Sequence, residues 1–331
     1  MSRIFRSDEV GVGDRVVVRR KIGDQFSDVI GHVESIDPLV IRPQEVGGYP
    51  SFLPTVEITP EELHVIKRLS PRMIRNSDIR AVEVATAKAF PGRESQWFGG
   101  WLARAGEEIA ERSNSAAPLG RSVGFEPLPL KELNEFYSDR NMPVQLLIPE
   151  RIGASAEKHV LAEPGWELSP EIVVMTRELT GIPSPTGRLT FRIDNEPDAD
   201  WLAMYHFRGQ ELPVAALREL SAKIDGELGF GRLLNDDRAT VAITRGTLTE
   251  SEDGTRWLGY SAVEVAPEFR RQGLGTELGV QMLHWGCEEG ADSAYLQVIS
   301  TNRAGLGLYN KLGFMEHHRH RYATFRGGQL G

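Results

Sequence analysis

The feature that most constrains the fold is a buried strand that runs into a glycine loop and then into an amphipathic helix. The strand is predicted at residues 257–265, and the loop reads Arg270-Arg271-Gln272-Gly273-Leu274-Gly275-Thr276. After the loop, apolar residues recur at helical spacing at Leu278, Met282 and Trp285, which predicts one buried stripe on the helix. Strands and helices that alternate in this way are typical of mixed α/β architecture.

The strand, loop and helix together form a geometry that can hold an anion. Backbone N–H groups at a helix N-terminus point into such a loop, and the aligned peptide dipoles favour negative charge there. Gly273 and Gly275 carry no side chain that would block a pyrophosphate. Arg270 and Arg271 add positive charge. A dinucleotide loop would need a third glycine, and a Walker loop would need Gly-Lys-Ser/Thr where Gly275 is followed by Thr276.

Further motifs follow the helix at a regular spacing. Residues 295–299 are predicted as a buried strand, and the next segment reads Thr301-Asn302-Arg303-Ala304. Residues 307–314 then read Gly-Leu-Tyr-Asn-Lys-Leu-Gly-Phe. Over about residues 187–325, the chain resembles the GNAT (GCN5-related) N-acetyltransferase family.

Three signatures of that family carry the resemblance. The Leu-Tyr-x-x-Leu-Gly-Phe signature falls on residues 308–314. The Asn-x-x-Ala signature matches at Asn302 and departs at Gly305, where alanine is usual. The Arg/Gln-x-x-Gly-x-Gly/Ala signature falls on Arg270, Gly273 and Gly275.

The resemblance implies where acetyl-CoA, the expected co-substrate, binds. Backbone groups of Val263 and Val265 would pair with the pantetheine arm, and Asn302 would face that arm. Tyr309 would act as general acid, because the thiolate that leaves the thioester needs a proton. The pyrophosphate would lie on the amides of Arg271, Gln272, Gly273, Leu274, Gly275 and Thr276, with Arg270 beside them.

The general base is the least constrained part of the predicted site. Glu264 alternates with apolar neighbours on the strand, so its side chain faces either the cleft, where it would act as the general base, or solvent. His318 and His320 share one face of the last predicted strand, and they line either the acceptor pocket or a solvated surface. The histidine spacing matches no zinc pattern, so no metal is predicted. Cys287 is predicted to be a small buried residue, which disfavours a covalent acetyl-cysteine route.

The remaining sequence divides by pattern into two further regions. Short β-branched runs separated by turns predict an SH3-like β-barrel over residues 1–70. Residues 75–182 alternate helix and strand, lack a Gly-x-Gly loop and resemble a degenerate GNAT-like domain. A proline-rich linker at residues 182–187 precedes the catalytic domain, residues 187–331. The fold class is thus α/β (α+β) with a mixed sheet, and the order of regions resembles an actinobacterial GNAT subfamily.

Charge and composition narrow the function classes further. The chain of 331 residues carries a formal charge of −9, and residues 1–70 carry nine Lys/Arg against eleven Asp/Glu. This balance disfavours nucleic-acid binding, which relies on clustered positive charge. The longest apolar runs fall short of the roughly 20 residues that span a bilayer, and Cys287 has no second cysteine to pair with. We therefore expect a cytoplasmic protein with no membrane partner.

The leading hypothesis is transfer of the acetyl group of acetyl-CoA to a primary amine by direct attack in a ternary complex. The alternative is a non-catalytic acetyl-CoA sensor or scaffold whose barrel binds a partner. A nucleic-acid-binding barrel attached to an enzyme is a third hypothesis, which the charge of residues 1–70 disfavours. The pattern leaves the acceptor amine and the oligomeric state open.

Overall fold

The computed structural model describes residues 4–5, 9–106, 110–207, 210–211 and 214–327. The α-helices in these ranges are α1 (Asn76–Ala89), α2 (Leu130–Ser138), α3 (Ala154–Ala162), α4 (Ala199–Met204), α5 (Val214–Lys223), α6 (Leu274–Glu288) and α7 (Arg303–Lys311). The sequence predicts a helix from residue 213 to residue 224 with Pro213 near its first turn, and Pro213 lies outside the described residues.

The strands come in three groups along the chain. The first group is β1 (Arg15–Ile22), β2 (Gln25–Ile36), β3 (Leu39–Pro43), β4 (Val56–Ile58) and β5 (Leu63–Arg68). The second group is β6 (Glu94–Phe98), β7 (Trp101–Ala105), β8 (Gln145–Pro149), β9 (Trp166–Leu168) and β10 (Ile172–Glu178). The third group is β11 (Thr190–Asp194), β12 (His206–Phe207), β13 (Gln210–Glu211), β14 (Glu227–Leu234), β15 (Thr240–Glu250), β16 (Arg256–Val265), β17 (Ser293–Ile299) and β18 (Met315–Phe325).

The first group of strands forms an antiparallel sheet in the order β4-β3-β2-β1-β5. Alternating apolar residues cover one face of this sheet because successive side chains of a strand point to opposite faces. Val16, Val18 and Ile41 are fully buried there, with Val33 and Ile58 beside them. The sheet lies in a compact unit composed of Met1–Arg75 and Met315–His318. The sequence predicts strands at residues 14–19, 28–33, 39–42, 56–58 and 63–66, and all five are present.

The second unit, Asn76–Phe314 with Arg319–Gly331, contains a mixed sheet in the order β11-β14-β15-β16-β17-β10-β18-β8, with β9 beside β18. Strands β16 and β17 are parallel, whereas β10 and β17 are antiparallel. The predicted mixed α/β class is confirmed. Strand β10 precedes the predicted linker yet lies between β17 and β18, so strands from both sides of that linker share one sheet.

Helices cover the two faces of the mixed sheet near its centre. Helix α6 buries Leu278 and Met282 completely, and its Gly279 would carry a Cβ only 2.4 Å from Leu312 Cδ1. This glycine therefore allows α6 to approach the chain beneath it closely. On the opposite face, α1 packs against β16 and β17, where Val82 joins a buried cluster with Trp257.

The sequence pattern does not predict the β6–β7 hairpin or helix α4, and the structure shows the reason for each. The hairpin of β6 and β7 turns through Gly99 and Gly100, and its first strand is mostly exposed, so it lacks the alternation that indicates a strand. Helix α4 is too short to show a helical period, although Asp198 caps it by accepting a hydrogen bond from the Trp201 amide at 3.0 Å.

The prediction that Cys287 is buried is wrong, because this residue is exposed. Helix α6 turns Met282, Leu283 and Gly286 towards the sheet, and Cys287 falls on the other side of the helix. A stripe of apolar residues fixes which face of a helix is buried, and a residue just beyond that stripe reaches solvent whatever its type.

The predicted linker at residues 182–187 is attached to α6 by hydrogen bonds. The Thr186 amide donates to the Glu277 carboxylate, at 2.9 Å from Oε2 and 3.2 Å from Oε1. Burial raises the pKa of Glu277, but the hydrogen bonds from Thr186 and Gln281 outweigh burial, so the pKa lies below its ordinary value. Glu277 is 6% exposed, so its carboxylate is a structural acceptor inside the first turns of the helix.

We expect Glu277→Ala to lower the free energy of unfolding by about 1–3 kcal/mol, because it leaves the Thr186 amide without its acceptor. A carboxyl group with a depressed pKa stabilises the fold above its unfolded pKa, and this contribution is lost as the pH falls through the folded pKa. The stability gap between parent and variant, measured by urea unfolding, should therefore shrink in acid. Glu288→Ala, at an exposed position of the same helix, should change stability by less than about 0.5 kcal/mol. An equal loss in both variants would contradict this assignment.

Candidate active site

The central feature of the site is a gap between two parallel strands. Strands β16 and β17 pair only at their beginnings, and the last pair joins Gly259 to Tyr295. Beyond this point β16 continues to Val265 and β17 continues to Ile299 without pairing to each other. Backbone groups on the facing edges of the two strands are therefore available to a ligand that lies between them.

A β-bulge in β16 helps the strand to turn away from its neighbour. Ala262 has a φ of 56°, and the register with β15 shifts between Ile243 and Arg245. A bulge adds a residue to one strand and increases its local twist. Past the bulge, Val263 and Val265 pack into a cluster that includes Leu278 of α6.

Glu264 lies on the opposite face of β16 from those two valines. It pairs across the sheet with Ile243, which packs in a cluster around Trp201 and Tyr205 on the α4 side. Burial raises the pKa of Glu264, while electrostatic interactions with Arg270 and His206 lower it. The net shift is upward. Glu264 is therefore a half-buried carboxyl group at the end of the gap.

The loop after β16 presents backbone amides at the start of α6. Arg271 and Gly273 adopt left-handed conformations with φ of 60° and 86°, and the helix begins at Leu274. The Gly273 carbonyl accepts the first helical bonds, from the Thr276 and Glu277 amides at 3.0 and 3.1 Å. Within the described part of the chain, no protein acceptor is hydrogen-bonded to the amides of Arg271, Gln272, Gly273, Leu274 and Gly275. Such a row of unsatisfied N–H groups is a binding site for an anion.

The two loop glycines are required for different reasons. Gly273 has open space around it, so the backbone conformation, with φ of 86°, is what favours glycine there. Gly275 lies within the first turn of α6, and a Cβ on it would be 3.3 Å from Leu308 Cδ2. The sequence predicts ligand access as the role of both glycines, and the packing against α7 is an additional constraint on Gly275.

Polar side chains of the loop hold the loop to the strand before it. Arg270 Nε donates to the Val265 carbonyl at 3.0 Å, and Gln272 Nε2 donates to the Glu268 carbonyl at 3.1 Å. The Val265 carbonyl thus already accepts one hydrogen bond from within the protein. Arg271 is exposed and makes none of these contacts.

Tyr309 lies on α7 beside the gap. Its ring stacks edge-on against Tyr260 of β16 and against Phe314, with ring centroids 6.1 and 6.2 Å apart. Burial raises the pKa of Tyr309 to about 12, and the negative charge of Glu264 adds to this effect. The phenol is consequently protonated throughout the neutral range. It lies within electrostatic range of Glu264, and the structure thereby brings together two of the predicted site residues.

Asn302 caps α7 by accepting a hydrogen bond from the Gly305 amide at 2.9 Å. A Cβ at position 305 would lie 2.8 Å from Asn302 Nδ2, so the glycine that departs from the family signature makes room for this amide. One side-chain oxygen is engaged in the cap, and the Nδ2 group is the part of Asn302 that a ligand would contact.

The histidines of β18 do not lie on a solvated surface, and that alternative is wrong. His318 and His320 are 1% and 0% exposed, because β18 runs inside the sheet between β10 and β8. His320 Nδ1 is 2.7 Å from Glu83 Oε1 of α1, and Glu83 is equally buried. The position of β18 in the sheet was not visible in the sequence, because it depends on β10 and β8 from earlier in the chain.

Sequence reasoning missed His206, Arg112 and Arg245. His206 follows α4, is exposed and lies within electrostatic range of Glu264. Arg112 and Arg245 both stack on the ring of Phe90, with distances of 4.1 and 5.0 Å from the guanidinium carbon to the ring centroid. These three residues carry no local motif, and only the fold brings them near the gap.

Comparisons with known proteins agree with this geometry. A family model described as "Probable histone acetyltransferase Rv0428c C-terminal" matches residues 76–323. A relative from Mycobacterium tuberculosis, described as "Probable histone acetyltransferase Rv0428c", is 33% identical over 317 residues, which is 94% of this chain and 95% of the relative.

Two solved structures share the fold at low sequence identity. A GCN5-related N-acetyltransferase from Kribbella flavida has a TM-score of 0.55 at 16% identity, over 76% of this chain and 96% of that one. A tandem GNAT protein from the clavulanic acid biosynthesis pathway has a TM-score of 0.53 at 13% identity, over 75% of this chain and 89% of that one.

The fold and the strand–loop–helix site define an acetyltransferase of the GNAT type. The chain belongs to the family described by the C-terminal region of the mycobacterial protein, and it is an N-acetyltransferase of that class. Among the described residues, no helix combines the length and apolar character needed to cross a membrane.

We expect Gly273→Ala to lower the free energy of unfolding by about 1–2 kcal/mol, because a Cβ is strained at a φ of 86° even where space is free. Gly307→Ala is the matched control. Gly307 lies in α7, and a Cβ added there would meet no atom within 4 Å, so alanine should stabilise the helix by about 0.5–1 kcal/mol. Thermal unfolding of the two variants should shift the melting temperature in opposite directions. A shift in the same direction would show that the loop does not hold the left-handed conformation.

Proposed function

We propose that this chain transfers the acetyl group of acetyl-CoA to a primary amine by direct attack in a ternary complex. The observation that carries the proposal is the gap between β16 and β17 next to the unsatisfied amides at the start of α6. A nucleotide pyrophosphate fits the amides, and an extended arm fits the strand edges. Few other ligands combine an anion with a long polar chain of that kind.

The pyrophosphate lies, in this proposal, on the amides of the loop residues, and the arm pairs with β16 at Val263 and Val265. Because Arg270 holds the Val265 carbonyl, acetyl-CoA binding would exchange that bond for one with the ligand and free the guanidinium for a phosphate. The Asn302 amide group would face the arm from the other side. The thioester then lies in the narrow part of the gap, between the last strand pair at Gly259 and the bulge at Ala262.

The chemistry requires one proton to leave the amine and one to reach the thiolate. The amine nitrogen forms a bond with the thioester carbonyl carbon, and the carbon–sulfur bond breaks. Tyr309 donates its proton to the departing thiolate, and its pKa of about 12 keeps it protonated until then. Glu264 accepts the amine proton as general base, and burial raises its pKa, which makes its carboxylate a stronger base. The products are the acetylated amine and coenzyme A.

We further propose the domain layout that the sequence indicates. Residues 1–70 form an SH3-like barrel, residues 75–182 are a degenerate GNAT-like domain, and residues 187–331 are the catalytic domain. The antiparallel five-stranded sheet supports the first assignment. The match of a tandem GNAT protein over 75% of this chain supports the second at the level of the fold.

We expect Tyr309→Phe to lower kcat by about 100-fold or more, because the thiolate then leaves without a proton donor. The affinity for acetyl-CoA should stay within about threefold of the parent, since the phenol makes no ground-state bond to the loop. Thiol release from acetyl-CoA with a panel of amines measures kcat, and calorimetry measures the affinity. Tyr322→Phe on β18 is the matched control and should retain activity. If no amine gives turnover in the parent while acetyl-CoA still raises its melting temperature, the chain is a sensor and the proposal fails.

We expect Gly275→Glu to weaken acetyl-CoA binding by at least about 100-fold, because a carboxylate at the start of α6 repels the pyrophosphate. Gly307→Glu adds the same charge to the exposed face of α7 and should leave the affinity nearly unchanged. Both variants are first checked for cooperative thermal unfolding, since the larger side chain at 275 must also displace Leu308. Parent-like affinity in a folded Gly275→Glu variant would show that the loop is not the pyrophosphate site.

A further inference from the structure

A small recess lies at the point where β16 and β17 part, on the face of the sheet opposite α6. Its lining includes Gly259 and Ser261 of β16, Gln297 of β17, and Phe90 and Arg112 from the chain that precedes them. In the proposed function, the thioester of bound acetyl-CoA lies at this point. An acceptor amine that enters from this side therefore reaches the thioester past the residues that line the recess.

Arg245 of β15 lies next to this recess, beside two of its lining residues, Ser261 and Phe90. It pairs across the sheet with Ser261, and cross-strand partners project from the same face. Its guanidinium carbon is 5.0 Å from the ring centroid of Phe90, and the guanidinium carbon of Arg112 is 4.1 Å from that centroid. Two positive groups thus converge on one aromatic ring at the edge of the recess.

Arg245 differs from the other buried arginines of this unit. Arg232 is bonded to Asp198 at 2.7 Å, and Arg319 is bonded to Glu171 at 2.5 Å. Arg104 donates to two atoms of Ser115 and has the negative charge of Glu83 nearby. Each of these cations is therefore compensated inside the protein.

Among the residues that the structure describes, none compensates the Arg245 guanidinium in this way. The side chain is 2% exposed, its Nε is buried without an acceptor, and no described residue forms a hydrogen bond or ion pair with it. Burial lowers the pKa of Arg245, and the charge of Arg112 lowers it further, but a guanidinium remains protonated at neutral pH. A buried cation whose described neighbours are another cation and aromatic rings can bind an anion from outside the protein.

We propose, on the basis of the proposed function, that the acceptor is a small amine that also carries a carboxylate, and that Arg245 binds this carboxylate with Arg112 beside it. A carboxylate matches the planar edge of a guanidinium and can accept two parallel hydrogen bonds from it. The ring of Phe90 covers the flat face of the Arg245 guanidinium, so the edge of the guanidinium is the part available to a ligand. Arg245 is thus a specificity-determining residue that positions the amine at the thioester.

The test compares matched acceptors in the thiol-release assay with the full chain. Phenylalanine and lysine are each assayed against the corresponding amine without the carboxyl group and against the amino-acid amide. The decarboxylated amines are more basic than the amino acids and the amides are less basic, so a preference over both cannot arise from amine basicity. We expect kcat/KM to favour the carboxylate form of the preferred side chain by about 10- to 100-fold over both comparators.

Arg245→Met supplies the second arm. This variant should lose the preference. The ratio of kcat/KM for the amino acid to kcat/KM for either comparator should fall to within about threefold of one. Its melting temperature should equal or exceed that of the parent, because methionine removes an unpaired buried charge. A structural arginine would instead lower the melting temperature and leave the preference intact. Arg192→Met removes an exposed arginine of the same sheet and should change neither quantity.

A binding measurement separates this inference from the proposed function. Propionate should raise the melting temperature of the parent more than sodium chloride or inorganic phosphate at equal ionic strength, and it should have no such effect on Arg245→Met. If no amine is acetylated but propionate still acts through Arg245, the carboxylate site stands and the proposed function fails. If amines are acetylated without preference for a carboxylate, or propionate acts equally on both proteins, the inference is overturned.

Discussion

The structure of the site depends on the early end of pairing between β16 and β17. Two neighbouring parallel strands would normally close on each other along their whole length, because unpaired backbone groups are costly. Here each strand has a full antiparallel partner on its other side, β15 for β16 and β10 for β17. Both strands are therefore held firmly while the gap beyond Gly259 and Tyr295 stays open. The region that precedes the linker contributes to the site indirectly, since it supplies β10.

The loop at the end of β16 depends on the same arrangement. Once β16 has bent at Ala262, the chain must reverse towards α6 within a few residues, and left-handed conformations at Arg271 and Gly273 achieve this. The reversal leaves the first amides of α6 pointing outward at the wider end of the gap. The gap and the row of amides therefore lie next to each other, because the bend in β16 determines the position of both. Local backbone strain of this kind is often found where a protein binds a ligand.

Local sequence patterns were sufficient for most elements and for the loop. Alternation located the five strands of the first unit, and helical spacing located α6 together with its glycine-bearing start. What could not be predicted depends on contacts between distant segments. The place of β10 between β17 and β18, the burial of His320 against Glu83, and the convergence of Arg112 and Arg245 on Phe90 all join residues far apart in the chain. None of these residues belongs to a recognisable motif in its own segment, and the residues come together only when the shared sheet forms.

An unpaired arginine in a protein interior lowers stability. Other side chains could occupy this position of β15, or an acidic neighbour could pair with the arginine. A methionine or leucine would fill the same space, and an acidic neighbour would neutralise the charge, as Asp198 does for Arg232. Phe90 and Arg112 instead place an aromatic ring and a second cation beside Arg245, and none of the described residues forms an ion pair with its guanidinium. A site prepared in this way gains its missing anion only when the acceptor enters. The energy of that pairing then favours the acceptor over water at the thioester, because water carries no anion that Arg245 can bind.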